Sequence, residues 1–291
     1  MTERRVLITG TSTGIGEAAA RLLAERGWRV YAGVRREADA EGWRAAGLAG
    51  LSPLFCDVTD REQIRAAVAT IAAEGHGLDA LVNNAGVSAA GPLEYLEPAE
   101  LRRVLEVNVV GQQALTRACL PLLRRNRGRI VFVGSVSGRT AMPLVGAYCM
   151  SKYALEALAD AWRVELRPWE VGVVLLEPGP IATPIWDKVA AERTRRLSEL
   201  DAEALERYGP LMEAVFRRVV EGARKATEPA AVARVVERAL TRRRPRARYV
   251  VGRGARGSVL TGRIPDRLRD WLICRVLGHD APPRGTSANG T

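Results

Sequence analysis

Short apolar runs and longer amphipathic stretches alternate along this chain from its first residues to about position 251. Runs bounded by turn-forming residues read as strands over Arg5–Ile8, Arg29–Val34, Leu51–Phe55, Leu78–Val82, Ile130–Val133, Gly172–Leu176 and Arg248–Val251. Between them, apolar positions recur every three or four residues, which predicts helices over Glu17–Arg26, Glu62–Ala73, Tyr148–Leu166 and Pro229–Leu240. Residues 37–50 predict a short helix and a surface loop, and Pro98-Ala99-Glu100 opens a long helix that carries Asn108. Strands that are apolar throughout belong in a sheet covered by helices on both faces, so the pattern predicts one α/β domain.

The first strand runs into Thr9-Gly10-Thr11-Ser12-Thr13-Gly14-Ile15-Gly16 and then into a helix. Strand, glycine loop and helix in this order make a dinucleotide cradle. Gly10 allows the turn, Gly14 lets a pyrophosphate approach, and Gly16 lets the helix pack on the strand. Thr11, Ser12, Thr13 and Ile15 complete the loop, with the phosphate at the helix N-terminus. No acidic residue ends the second strand; Arg35 and Arg36 stand there instead, and guanidinium groups suit the 2′-phosphate of NADP(H) better than the bare ribose of NAD(H). Asp57 and Val58, after the third strand, are placed to meet an adenine ring, and Thr59 or Asp60 to cap the next helix. Asn83-Asn84-Ala85-Gly86 follows the fourth strand; its amides can tie strand ends together while Ala85 and Gly86 leave room for a ribose.

The candidate chemistry lies in residues 135–152. Ser135 ends a strand, and Tyr148 and Lys152 stand four apart on one helical face. A lysine there can favour the phenolate and lower the phenol's pKa, while the serine hydroxyl bonds a substrate oxygen. Together they can move a proton on or off an alcohol or carbonyl oxygen. Asn108 sits in the apolar stretch Val104–Leu115, where a buried amide needs partners; it would bend the helix or hold a water that leads to Lys152. Further on, Glu177-Pro178-Gly179-Pro180-Ile181-Ala182-Thr183 reads as a loop closing on the cofactor, with Thr183 at the carboxamide.

With these motifs placed, the chain closely resembles the short-chain dehydrogenase/reductase family, through Thr9–Gly16, Asp57, Asn83–Gly86, Asn108, Ser135, Tyr148, Lys152 and Pro178–Thr183. The resemblance implies a doubly wound, Rossmann-type sheet of seven parallel strands with the cofactor across its C-terminal edge. It implies Tyr148 as acid/base, Ser135 as the group that polarises the substrate oxygen, Lys152 on the ribose, and Asn108 in a proton relay. Pro178, Gly179, Ile181 and Thr183 would join the cofactor contacts. The family also implies a homodimer or homotetramer through helices near 100–125 and 148–167. Within it, Tyr31-Ala32-Gly33-Val34-Arg35 and the long segment after Thr183 look most like hydroxysteroid and retinol dehydrogenases, hence a lipophilic alcohol and its ketone or aldehyde. A non-catalytic nucleotide-binding regulator and a nucleotide-sugar epimerase or dehydratase are the competing readings. The retained Tyr148 and Lys152 disfavour the first, and the apolar residues of 184–226 the second.

Composition narrows the picture further. Four scattered cysteines, Cys56, Cys119, Cys149 and Cys274, have no metal-ligand spacing, and no apolar run could span a bilayer; the expected compartment is the cytoplasm. The net charge of +11 is concentrated at the end: residues 241–291 hold 12 Lys/Arg against 3 Asp/Glu. That region serves solubility or touches a membrane surface, with nucleic acid the least favoured partner. The expected organisation is a catalytic domain over 1–255 with a substrate lid near 184–226, an amphipathic extension over 256–280, and a disordered tail over 281–291. In the extension, Leu268, Trp271, Leu272, Arg275 and Val276 share one helical face.

Overall fold

The computed structural model describes residues 3–184, 191 and 194–279. Its seven strands are β1 (Arg5–Thr9), β2 (Arg29–Val34), β3 (Leu51–Phe55), β4 (Ala80–Asn83), β5 (Arg129–Val133), β6 (Gly172–Pro178) and β7 (Arg248–Val251). They form one parallel sheet in the order β3-β2-β1-β4-β5-β6-β7. The helices include α1 (Gly14–Glu25), α2 (Glu37–Ala46), α3 (Arg61–Ala73), α4 (Pro98–Leu105), α5 (Gln112–Arg125), α6 (Gly146–Glu165), α7 (Ala202–Arg224), α8 (Pro229–Thr241), α9 (Ala255–Thr261) and α10 (Asp266–Leu277).

Period-two alternation along buried strands explains the two helix layers. Val6, Ile8, Val30, Ala32, Val82, Val131 and Val133 face one side, where Ala19, Ala20 and Leu23 of α1 meet Val232 and Val236 of α8. Leu7, Tyr31, Leu81, Ile130 and Phe132 face the other, against Ile64 and Ile71 of α3, Leu115 and Leu123 of α5, and Leu155 of α6. The doubly wound sheet implied by the resemblance is the observed fold. Pro53 sits in β3, an edge strand, where a missing N–H costs little.

Several bounds differ from the sequence pattern by one to three residues, and three of the differences have a physical cause in the packing. The fourth strand starts at Ala80, which pairs with Val6, because the Leu78 amide donates instead to the Leu122 carbonyl of α5. β6 continues through Glu177 and Pro178, which pair with Val250 and Val251 of the last strand. The long helix expected to carry Asn108 is interrupted by a π-helical turn, Glu106–Gly111, and Gly111 is needed there: a Cβ would lie 2.6 Å from the Val58 carbonyl oxygen. Of the two candidate caps for α3, Asp60 is the one, accepting from the Glu62 and Gln63 amides, which stabilises the helix by about 1 kcal/mol. Part of the expected lid and all of the 281–291 tail lie outside the described residues. Among those described, no helix is long and apolar enough to cross a membrane.

Candidate active site

Strand order reverses between β1 and β4, so the loops leaving their carboxyl ends part and open a crevice. The cleft there measures about 360 Å³ and is walled by Gly10, Ser12, Thr13, Gly14, Ile15, Arg35, Asp57, Val58, Asn84, Ala85, Gly86 and Thr183. Asn84 pins its two rims together. Its Nδ2 donates to the carbonyls of Thr9 (2.9 Å) and Gly10 (3.0 Å), and the Thr9 hydroxyl accepts from the amides of Asn84 and Ala85.

Two features fit a dinucleotide in this cleft. Thr13 is the N-cap of α1 but its side chain makes no capping bond, so the first amides of α1 are left to an anionic ligand. Gly16 lies beneath the loop, where a Cβ would come within 2.2 Å of the Gly10 carbonyl oxygen. Its space is taken by the loop, so Gly16 shapes the cradle without lining it. Thr11 is also buried under the loop, its hydroxyl donating to the Gly33 carbonyl at 3.0 Å.

The two arginines part company. Arg35 lines the cleft, open to solvent and 3.8 Å from Asp57. Arg36 does not: it is the N-cap residue of α2 and its guanidinium donates twice to Asp39, at 2.9 and 2.8 Å. Neighbouring residues at a strand end point to opposite sides, and only one can face the crevice. Asp57 accepts from the amide and hydroxyl of Thr59, while Val58 forms part of the buried wall. Pro178, Gly179 and Ile181 do not line this cleft. Pro178 ends β6, the Gly179 amide donates to Val251, and Ile181 is packed in the core.

The expected proton-handling residues gather at the ends of β5 and α6. Lys152 is buried, and its Nζ donates to the Val133 carbonyl at 2.9 Å while lying 5.6 Å from the Tyr148 ring centroid. Burial lowers the Lys152 pKa to about 8. Tyr148 is shifted upward: burial raises its pKa and outweighs the opposing hydrogen bond from Ser135. The expected lowering of the phenol's pKa by Lys152 is not found: the shift runs upward, through burial, and the phenol keeps its proton at neutral pH. Ser135 Oγ accepts from the Ser137 amide at 3.1 Å.

Asn108 is fully buried in the π turn, and its amide is spent on protein partners. Oδ1 accepts from the Val87 amide (2.8 Å), and Nδ2 donates to the Val87 carbonyl (2.8 Å) and to Ser151 Oγ (2.9 Å). The Asn108 amide thus braces the cleft wall against α6. Ser151 donates in turn to the Tyr148 carbonyl at 2.7 Å. Ser151 escaped the sequence reading, although its position three residues after Tyr148 puts it within reach of that carbonyl. Gln112, which donates to the Ala85 carbonyl at 2.8 Å, and the cleft-lining Cys56 and Arg103 escaped it too. Burial pushes the Cys56 thiol up to about 12, so it stays protonated and is no nucleophile.

One turn beyond Lys152, Glu156 joins a charged cluster under the site. Its Oε2 accepts from Arg248 Nε at 2.9 Å, Arg139 approaches at 3.5 Å, and the buried Glu177 accepts from Arg139 at 2.9 Å. Burial first, and then the Glu177 carboxylate, raise the Glu156 pKa to about 7 from 4.5, against the bond from Arg248. A carboxyl whose pKa is raised on folding favours the folded chain while protonated. That contribution is complete below about 4.5 and is lost as pH climbs through about 7. Urea unfolding over this range should show wild type losing stability relative to Glu156→Gln as pH rises; parallel profiles would remove Glu156 from the titration.

Against known proteins, a model of the short chain dehydrogenase family matches residues 4–194. The chain is 34% identical over 284 residues to retinol dehydrogenase 5 of Mus musculus, covering 93% of this chain and 89% of that protein. It is 34% identical over 282 residues to the NADPH-dependent 3-dehydrocapnine reductase of Ornithobacterium rhinotracheale, covering 94% and 97% respectively. Among solved structures, a short-chain dehydrogenase from Streptomyces avermitilis is similar with a TM-score of 0.76 at 28% identity, over 94% of this chain and 95% of that one.

Proposed function

Because the chain belongs to the short-chain dehydrogenase family, and is therefore an NAD(P)H-dependent oxidoreductase, we propose that it interconverts a lipophilic alcohol and its ketone or aldehyde with NADP(H) in preference to NAD(H). The observation that carries this reading is a continuous hydrogen-bonded path. It runs from Val87 on the cleft wall through Asn108 and Ser151 to the Tyr148 carbonyl, fixing the phenol's helix to the cofactor cleft.

When bound, the nicotinamide cofactor supplies or accepts the hydride. Tyr148, protonated because it is desolvated, gives its proton to the substrate oxygen in reduction and takes it back in oxidation. Ser135 donates to that oxygen and orients it. Lys152, held at Val133, presents a desolvated ammonium that would stabilise the phenolate left behind and bind a ribose hydroxyl. Leu144, four residues ahead of Tyr148, packs with Leu211, Met212 and Leu277, an apolar surround that supports an apolar substrate. Retinol dehydrogenase 5 is named for such a substrate.

Arg35 supports the cofactor preference, and the name of the Ornithobacterium relative points the same way. Arg35→Ala should weaken NADPH binding roughly 10- to 100-fold, the loss of a charge-assisted bond to phosphate, and leave NADH binding within about twofold. Fluorescence titration with both cofactors checks this; equal losses would defeat the phosphate assignment. We place the protein in the cytoplasm as a homodimer or homotetramer joined through α5 and α6, where Val164 and the nearby Trp169 stand exposed. The whole reading is tested by NADPH oxidation with retinal, steroid, quinone and aliphatic ketones. Turnover of an apolar carbonyl is expected; conversion of a nucleotide sugar alone would overturn it.

A further inference from the structure

The C-terminal helix α10 faces the wrong way for a helix whose only partner is its own protein. Leu277 is its buried residue, packing with Ile273 against Leu211 and Met212 of α7 and against Leu144. Counted at 3.6 residues per turn, Leu268, Trp271, Leu272, Arg275 and Val276 lie on the opposite side. Leu268, Trp271 and Val276 are 48%, 49% and 50% exposed, and Leu260 at the end of α9 is 63% exposed. The apolar stripe that would ordinarily be buried is thus turned outward. A second copy of this face would bring like charges together, because residues 252–279 hold six arginines against two aspartates.

Charge decides what can cover the stripe. Arg256, Arg263, Arg267 and Arg275 are exposed or border it, and none has a carboxylate partner among the described residues; Arg269 alone pairs with Asp266 and Asp270. The Arg275 guanidinium lies 5.3 Å from the Trp271 ring centroid, a pairing of cation and amphipathic ring suited to a lipid headgroup boundary. A helix of 12 residues is about 18 Å long, too short to span a bilayer and long enough to lie in its surface. We infer that α9 and α10 dock this protein on an anionic lipid bilayer, with Leu260, Leu268, Trp271 and Val276 in the acyl boundary and the arginines on the headgroups.

The docking surface is tied to the candidate site. Through Leu277 and Leu144, the inner face of α10 packs on the turn four residues before Tyr148, and Leu144 holds the left-handed conformation with φ 65°. A lipophilic substrate dissolved in the bilayer would then reach the site without crossing water. That last step rests on the function proposed above; the docking itself does not.

The test is flotation of the full chain with vesicles of phosphatidylcholine alone and with about a third phosphatidylglycerol, at low and high salt. Binding to anionic vesicles only, weakened by salt, is expected. Each arginine near an anionic surface contributes roughly fivefold to partition, so Arg267→Glu with Arg275→Glu should reduce binding by ~25-fold or more. Leu268→Ser, Trp271→Ser and Val276→Ser together should abolish binding at either salt. Unchanged NADPH binding and circular dichroism show that both variants fold; if one does not, the other decides. No flotation of the wild type, equal flotation on neutral vesicles, or indifference to both variants would overturn the proposal. So would a wild-type oligomer that the serine variant splits in sedimentation while neither form floats, which would assign the face to a partner copy. Loss of carbonyl turnover with intact flotation would instead strike the enzymatic reading alone.

Discussion

Tyr148→Phe should lower the rate of NADPH-linked carbonyl reduction by roughly 10²- to 10⁴-fold, the range for removing a general acid, while NADPH affinity stays within about threefold. The geometry explains both halves. Phenylalanine keeps the ring's packing and its place on α6, where Ser151 bonds the residue 148 carbonyl and Asn108 braces Ser151. What it removes is the phenolic hydroxyl, whose pKa burial raises so that it holds its proton at neutral pH. The neighbouring Ser135 cannot substitute, since an alkyl hydroxyl is far too weak an acid. Stopped-flow rates alongside fluorescence titration separate the two effects. An unchanged rate would remove Tyr148 from the mechanism, and a matching collapse in NADPH affinity would make it a binding residue.

Gly16→Ala should destabilise the chain by about 1–3 kcal/mol and raise the NADPH dissociation constant at least roughly tenfold. A Cβ at this position would stand 2.2 Å from the Gly10 carbonyl oxygen and 2.5 Å from Asn84 Nδ2. Neither can yield cheaply: Gly10 is loop backbone, and Asn84 spends that nitrogen holding Thr9 and Gly10. The loop must lift, and both the cleft and the strand ends it joins lose their geometry. Gly42 in α2 is the control, since nothing lies within 4 Å of its Cβ position; alanine there should stabilise by about 0.5–1 kcal/mol. Denaturant unfolding and NADPH titration of both variants check the contrast. Tolerance of Gly16→Ala in both measurements would contradict the close packing of loop on helix.

Much of this was legible in the sequence because the signals are local. β2, β3 and β7 fall on the predicted residues, since apolar runs between turn formers leave little choice of boundary. The glycine loop and the Tyr148–Lys152 spacing place themselves by the same short-range geometry. What escaped depends on partners distant in the chain. Arg35 and Arg36 are indistinguishable as letters, and the split between them follows from the strand pleat and from Asp39 capturing one guanidinium. The π turn at Asn108 is set by Val87 and Ser151, 21 and 43 residues away, and by the approach of Val58 to Gly111. Likewise, hydrophobic periodicity found the stripe on α10 but could not say which way it faces, because the buried side is fixed by α7 through Leu277.

The most direct measurement is a crystal structure of the chain with NADP⁺ and an apolar alcohol. The account predicts the 2′-phosphate against Arg35, the pyrophosphate over the first amides of α1, and the alcohol oxygen within roughly 3.5 Å of both Tyr148 Oη and Ser135 Oγ. A phenol lying more than about 6 Å from the carbon that exchanges hydride, with the cofactor bound, would contradict it.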